Sequence, residues 1–112
     1  MPNYTTRMLS ALSFAAILLM SGTALAADQA ASTFQSTCAP CHGANARGDT
    51  SMGKSLHVPD LHSAAIQKTP DAKLHEIIAN GQGSMPPFAG RLSDAEIDGL
   101  ITYIHSLAKP QK

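Results

Sequence analysis

Tryptophan is absent from this 112-residue chain, and aromatic residues make up only 4% of it. A core built from these side chains alone is thin, because aromatics supply much of the buried area of small domains. Charge is scarce too: 14% of residues are charged, with 8 Lys and Arg against 8 Asp and Glu. There is no basic excess to bind a phosphate backbone, so nucleic acid is not an expected partner. The chain has two cysteines. That excludes a disulfide framework and a four-cysteine zinc site. The longest apolar run, "ALSFAAILLM" from Ala11 to Met20, is shorter than the roughly 20 residues that span a bilayer. The length suits one small domain.

What is present begins with that run. Arg7 is the one charge before it, and "SGTALAA" follows, with Ala24 and Ala26 flanking Leu25. A short charged start, a short apolar run and an A-x-A site are the three parts of a secretory signal peptide. Residues 1–26 are therefore expected to be a cleaved signal, with an uncleaved anchor as the alternative. Residues 27–112 form the remaining domain, exported to the periplasm. Loss of Arg7 leaves 7 Lys and Arg against 8 Asp and Glu. Neither stable membrane insertion nor oligomerisation is expected of this domain.

Three helical patterns follow, joined by loops, with no convincing strand. The first is expected over residues 28–42, capped by Asp28, with Ala30, Phe34, Cys38 and Cys41 on one face. Residues 43–68 read as a long irregular stretch, unusual in a compact domain unless it wraps around something. "RGD" within it (Arg47 to Asp49) reads as turn chemistry. The second helix starts at "TPDAKLHEIIANG", with Thr69 as N-cap, Pro70 in the first helical position and Gly81 as the stop. The third starts at "SDAE", a capping box of Ser93 and Glu96, and continues through Ile97, Leu100, Ile101, Ile104 and Leu107. Pro110 stands beyond its end.

Both cysteines lie in "CAPCH", Cys38 to His42. Cys-x-x-Cys-His is the attachment motif of c-type haem. Residues three apart on a helical turn face one side, so both thiols reach the porphyrin edge, and the next residue's imidazole reaches iron. A thioredoxin-type dithiol would need a strand before it and a βαβ setting. A zinc site would need four ligands, and His57, His62, His75 and His105 are scattered. Haem is the favoured reading, and those two remain the alternatives.

A six-coordinate iron needs a second axial ligand. Met85, in "GQGSMPPFAGR", is the candidate: Gly81 and Gly83 let the chain turn before it, and Pro86 and Pro87 stiffen the path after it. His/Met is a known class of haem ligation. Met52 is a rival, expected on the His42 side because it is ten residues from His42. Any of the other four histidines is a further alternative, and Met85 as a plain gap-filler another.

Taken together these residues resemble a class I c-type cytochrome, in its bacterial, cytochrome c6-like branch. "CAPCHG" matches the attachment motif, and "GSMPPFAGRLSDAEIDGLITYI" is similar to the distal-methionine segment and C-terminal helix. The resemblance covers about Phe34 to Leu107. It implies an all-α cytochrome c fold, three main helices and long loops wrapped around one covalent haem c, with the first and last helices crossing. "VPDL" resembles a Pro-x-Leu segment, which implies that the Pro59 carbonyl accepts from His42 Nδ1 and that Leu61 packs on the ring. Ala30 stands where many members have glycine, which implies a slightly wider helix crossing, while Leu100 and Tyr103 take the partner positions. The function implied is electron transfer, not catalysis. One haem cycles between Fe(III) and Fe(II) under His42 and Met85 and exchanges electrons with redox proteins such as an oxidase, reductase or dehydrogenase. The exposed edge is expected at Ala39, Pro40 and the Met85–Pro87 loop; Arg47 and Arg91 are candidates to pair with haem propionates, with a solvated surface arginine the favoured reading of each. Two alternatives stay open. One is a haem peroxidase or gas-binding protein with an open distal site. The other is a dedicated electron-transfer subunit of a larger oxidase or dehydrogenase.

Overall fold

A computed structural model describes Gly22 and residues 24–108. Most of the expected signal segment, and Pro110, lie outside the described residues. The architecture is all-α, as expected: among the described residues the only β pairings are two isolated bridges, Gln82 with Met85 and Ala89 with Leu92.

Helix α1 covers residues 24–33 and passes without a break into a π-helical turn, Phe34–Cys38, and then α2, Ala39–His42. Asp28 therefore sits inside the helix and does not cap it, since the helical pattern runs on upstream of it. The π turn has a local cause. Pro40 has no N–H to give to the carbonyl four residues back, so the α ladder must change there. The Ala39 N–H instead reaches the Phe34 carbonyl, five residues back, as in π-bulges near functional sites. Gly43, at φ +83°, ends the element.

The stretch 43–68 is more ordered than its composition suggests. It holds α3, Ser51–Ser55, and α4, Ala64–Gln67. Each has a hydroxyl N-cap: Thr50 accepts from Gly53 N, and Ser63 accepts from Ile66 N. Gln67 ties α4 down by donating to the carbonyls of Leu61 (2.8 Å) and Ile104 (2.9 Å).

Helix α5 spans Asp71–Asn80. Its N-cap is Pro70, one residue later than expected. Thr69 Oγ1 donates instead to the Ala65 carbonyl at 2.9 Å, while the Pro70 carbonyl accepts from Lys73 and Leu74. Helix α6, Asp94–Ser106, has the expected capping box of Ser93 and Glu96. Its Ile97, Leu100, Ile101 and Ile104 are buried and, with Phe34, Leu74 and Ile78, form the core. The Phe34 and Tyr103 rings lie 5.0 Å apart. α1 meets α6 at Ala30 and Gly99, where a Cβ added to Gly99 would stand 3.7 Å from the Ala30 Cβ. The small residue expected on α1 is thus found on α6, and Ala30 is accommodated without a side chain opposing it.

Candidate haem site

The attachment turn, the Pro59–Leu61 segment, α5, the Met85 loop and α6 enclose a cavity of about 380 Å³. Pockets for small ligands and cofactors run from roughly 300 to 1,000 Å³. Cys38, Cys41 and His42 line it from the attachment turn, and Pro59 and Leu61 from the following loop. Leu74, Ile77 and Ile78 come from α5, Met85, Pro86 and Phe88 from the next loop, and Leu100 and Ile104 from α6. All six residues singled out from the sequence (Cys38, Cys41, His42, Pro59, Leu61 and Met85) therefore share one cavity. No carboxylate lines it.

The donor set fits haem c. Both cysteines are free thiols. Burial, and next the nearby Cys41, push the Cys38 thiol up to about 11. A thiol held protonated is a poor redox nucleophile, since dithiol enzymes work through lowered values. Burial also lowers the His42 pKa, which favours the neutral imidazole that binds metals. His42 Nδ1 is buried without a hydrogen-bond partner. The bond to the Pro59 carbonyl that the resemblance implies is not among the hydrogen bonds of the structure. A half-buried imidazole whose buried Nδ1 no carboxylate or carbonyl claims, beside two free thiols in an apolar cavity, suits a tethered iron porphyrin.

Met85 is half-buried against the core and is carried by a tight turn. Its N–H donates to the Gln82 carbonyl at 2.9 Å, and its carbonyl accepts from Gln82 N at 3.1 Å. Phe88 and Ala89 anchor the far side of the loop by donating to carbonyls at the end of α5. All the rivals but His57 sit elsewhere. Met52 is 54% exposed and does not line the cavity. Its Sδ lies 3.4 Å from Cys41 Sγ. His62 bonds Asp60, His75 bonds Asp98 and His105 bonds Asp71. His57 does line the cavity, from an exposed position at φ +56°.

Arg47 pairs with Asp60 at 3.3 Å, and the Arg91 guanidinium lies 4.9 Å from the Phe88 ring centroid. Neither lines the cavity. Of the expected rim, Pro86 lines the cavity, Pro40 is exposed and Ala39 packs against the core. Two supporting residues escaped the sequence reading. Thr50 Oγ1 donates to the Cys41 carbonyl at 3.1 Å. A Cβ on Gly53 would stand 2.6 Å from that same carbonyl, so glycine is what lets α3 lie on the attachment turn. The pattern T-x-x-G could have shown the cap, but not the contact.

A helical shell with two free thiols, a half-buried imidazole and a thioether around one apolar cavity defines a c-type cytochrome domain. The family described as "Cytochrome C oxidase, cbb3-type, subunit III" matches residues 25–104, and the chain belongs to that family. It is 37% identical to a cbb3-type cytochrome c oxidase subunit CcoP of Azospirillum brasilense over 75% of this chain, and spans 29% of that relative's length. It is 42% identical to a cytochrome c6 of Picosynechococcus sp., covering 80% of this chain and 81% of that one. Among solved structures, the KustC0563 c-type cytochrome superposes with a TM-score of 0.65 at 27% identity, over 70% of this chain and 96% of that chain. One covalent haem c is the cofactor this membership implies.

Proposed function

We propose that the protein is a periplasmic one-electron carrier, holding haem c through Cys38 and Cys41 with His42 and Met85 as axial ligands. The observation that carries the reading is the single cavity onto which all four side chains open. When bound, the haem supplies a one-electron Fe(III)/Fe(II) couple. The chain's part is to hold, orient and insulate. Cys38 and Cys41 fix position through two covalent links, and the neutral His42 ring is set by burial. Met85 offers a soft thioether, which favours the lower oxidation state and raises the potential. The apolar walls act in the same direction, since burying net positive charge is costly.

Export follows from the signal reading of residues 1–26, and no helix of the described residues is long and apolar enough to cross a membrane. A second reading, a permanent subunit of a larger oxidase, is favoured by the cbb3 family match. The free carrier is preferred on the resemblance to a cytochrome c6, 42% identical over 80% of this chain, against 37% over 75% for the CcoP relative.

The test is the optical spectrum of the exported, haem-loaded protein. The ferric form is expected to show the weak far-red band of a methionine–iron bond, and Met85→Ala is expected to abolish it and lower the potential. A high-spin ferric spectrum in the native protein, with ready binding of CO after reduction, would instead support the peroxidase or gas-binding reading.

A further inference from the structure

We propose that electrons enter and leave this protein at α3, through the Met52 sulfur, and that the partner there is an anionic one-electron donor or acceptor. The inference rests on the electron-carrier reading and adds to it the port and the charge of the partner.

The first observation is exposure. Met52 is 54% exposed and Leu56 41%. The other large apolar side chain exposed among the described residues, Leu25, falls in the segment expected to be cleaved. The second is contact. The Met52 sulfur lies 3.4 Å from Cys41 Sγ, the atom that forms one link to the cofactor. A polarisable thioether open to solvent and touching the attachment sulfur gives a short route from a docked partner to the ring. Helix α3 is also pinned in that place. Thr50 Oγ1 donates to the Cys41 carbonyl, and the missing Cβ of Gly53 admits the close approach. Leu56 and His57, at the end of the same segment, line the haem cavity, so the exposed patch is continuous with the site.

The third observation is charge. From Ser51 to Val58 there is no carboxylate, and Lys54 stands between Met52 and Leu56. Asp49 precedes the segment, and its carboxylate accepts from Asn45 Nδ2 at 3.0 Å. The chain as a whole is close to neutral, so long-range steering is weak and local charge decides where an anionic partner lingers. Redox encounters bury little area, and two apolar side chains with one cation suit so brief a contact.

The test uses haem-loaded protein and two anionic probes. In stopped flow, reduced protein is mixed with hexacyanoferrate(III). Each productive encounter removes one electron from the protein and yields one hexacyanoferrate(II). Met52→Glu and Lys54→Glu are expected to slow this roughly tenfold at low salt. Ala72→Glu, which adds a negative charge on α5, is expected to change it far less. Reduction potentials of the variants, measured alongside, separate a change in driving force from a change in access. The redox-inert, paramagnetic hexacyanochromate(III) is expected to broaden amide NMR signals of residues 51–57, and to lose that effect in Lys54→Glu. Equal slowing by Ala72→Glu, or broadening centred elsewhere, overturns the port and leaves the carrier reading intact. A native protein that cannot be reduced and reoxidised reversibly overturns the carrier reading itself.

Discussion

Gly81 sits at φ +77°, where a Cβ would lie 2.6 Å from the Met85 carbonyl oxygen and 3.0 Å from Pro86 C and Pro87 N. Alanine there meets both a positive-φ backbone that side chains rarely adopt, costing roughly 1–3 kcal/mol, and a clash with backbone that has no rotamer to yield. Gly83 has φ +57° with open space around it, so alanine at 83 meets the first cost without the second. Gly81→Ala is expected to lower the melting temperature more than Gly83→Ala and to weaken the far-red methionine band. Equal behaviour of the two variants in a thermal melt and an optical spectrum would remove Gly81 from the support of Met85. At this scale the sequence was informative where chemistry is local. The spacing in "CAPCH" and the turn residues around Met85 point to groups that do share a cavity. Gly53 was opaque, because its value lies in a missing atom facing the Cys41 carbonyl, twelve residues earlier in the chain.

Helices α5 and α6 were legible for the same reason: caps and apolar periods are properties of ten or so consecutive residues. Helices α3 and α4 were not, since five and four residues are too few to display a period. The π turn was hidden because a proline's missing N–H does not say how the ladder upstream will adjust. The pairing of α5 with α6 was hidden as well. It is laced by His75, whose Nδ1 meets Asp98 at 2.9 Å and whose Nε2 meets Asp94 at 3.4 Å. At the other end His105 Nε2 meets Asp71 at 2.8 Å. The hydrogen bond to Asp98 is the main cause that raises the His75 pKa above its ordinary 6.5. The folded state therefore holds that proton more tightly than the unfolded state does. Its contribution to stability is complete below about pH 6.5 and fades as pH climbs through the raised folded value. His75→Gln is accordingly expected to destabilise the protein in acid and to match it at higher pH. Denaturant midpoints measured across that range check this. A deficit that is the same at every pH would mean that His75 acts through packing and not through its charge.

For the whole molecule the deciding quantity is the size of the cavity against the size of the chain. The described core is a single cluster in which Phe34 and Phe88 are the buried aromatic members, and the cavity beside it is about 380 Å³. The apolar side chains that line this space lack packing partners on that side, and a domain whose total stability is only about 5–15 kcal/mol has little to spare for such a loss. The cofactor is then part of the core, and the thin aromatic content of the sequence reflects that the ring replaces side chains. Tethering matters as much as filling, because two covalent links keep the ring at the site while the chain folds. The double variant Cys38→Ser/Cys41→Ser is therefore expected to lose the sharp thermal transition of the haem-loaded protein. It should keep part of its helical far-ultraviolet signal, lose near-ultraviolet ellipticity and bind a hydrophobic dye, as compact states without fixed packing do. Haem added back to this variant is expected to restore order in part and to wash out on dialysis, because His42 and Met85 remain but the links do not. A variant that melts cooperatively at the native temperature without haem would show that the side chains alone fill the fold, and the cavity would then have to close in its absence.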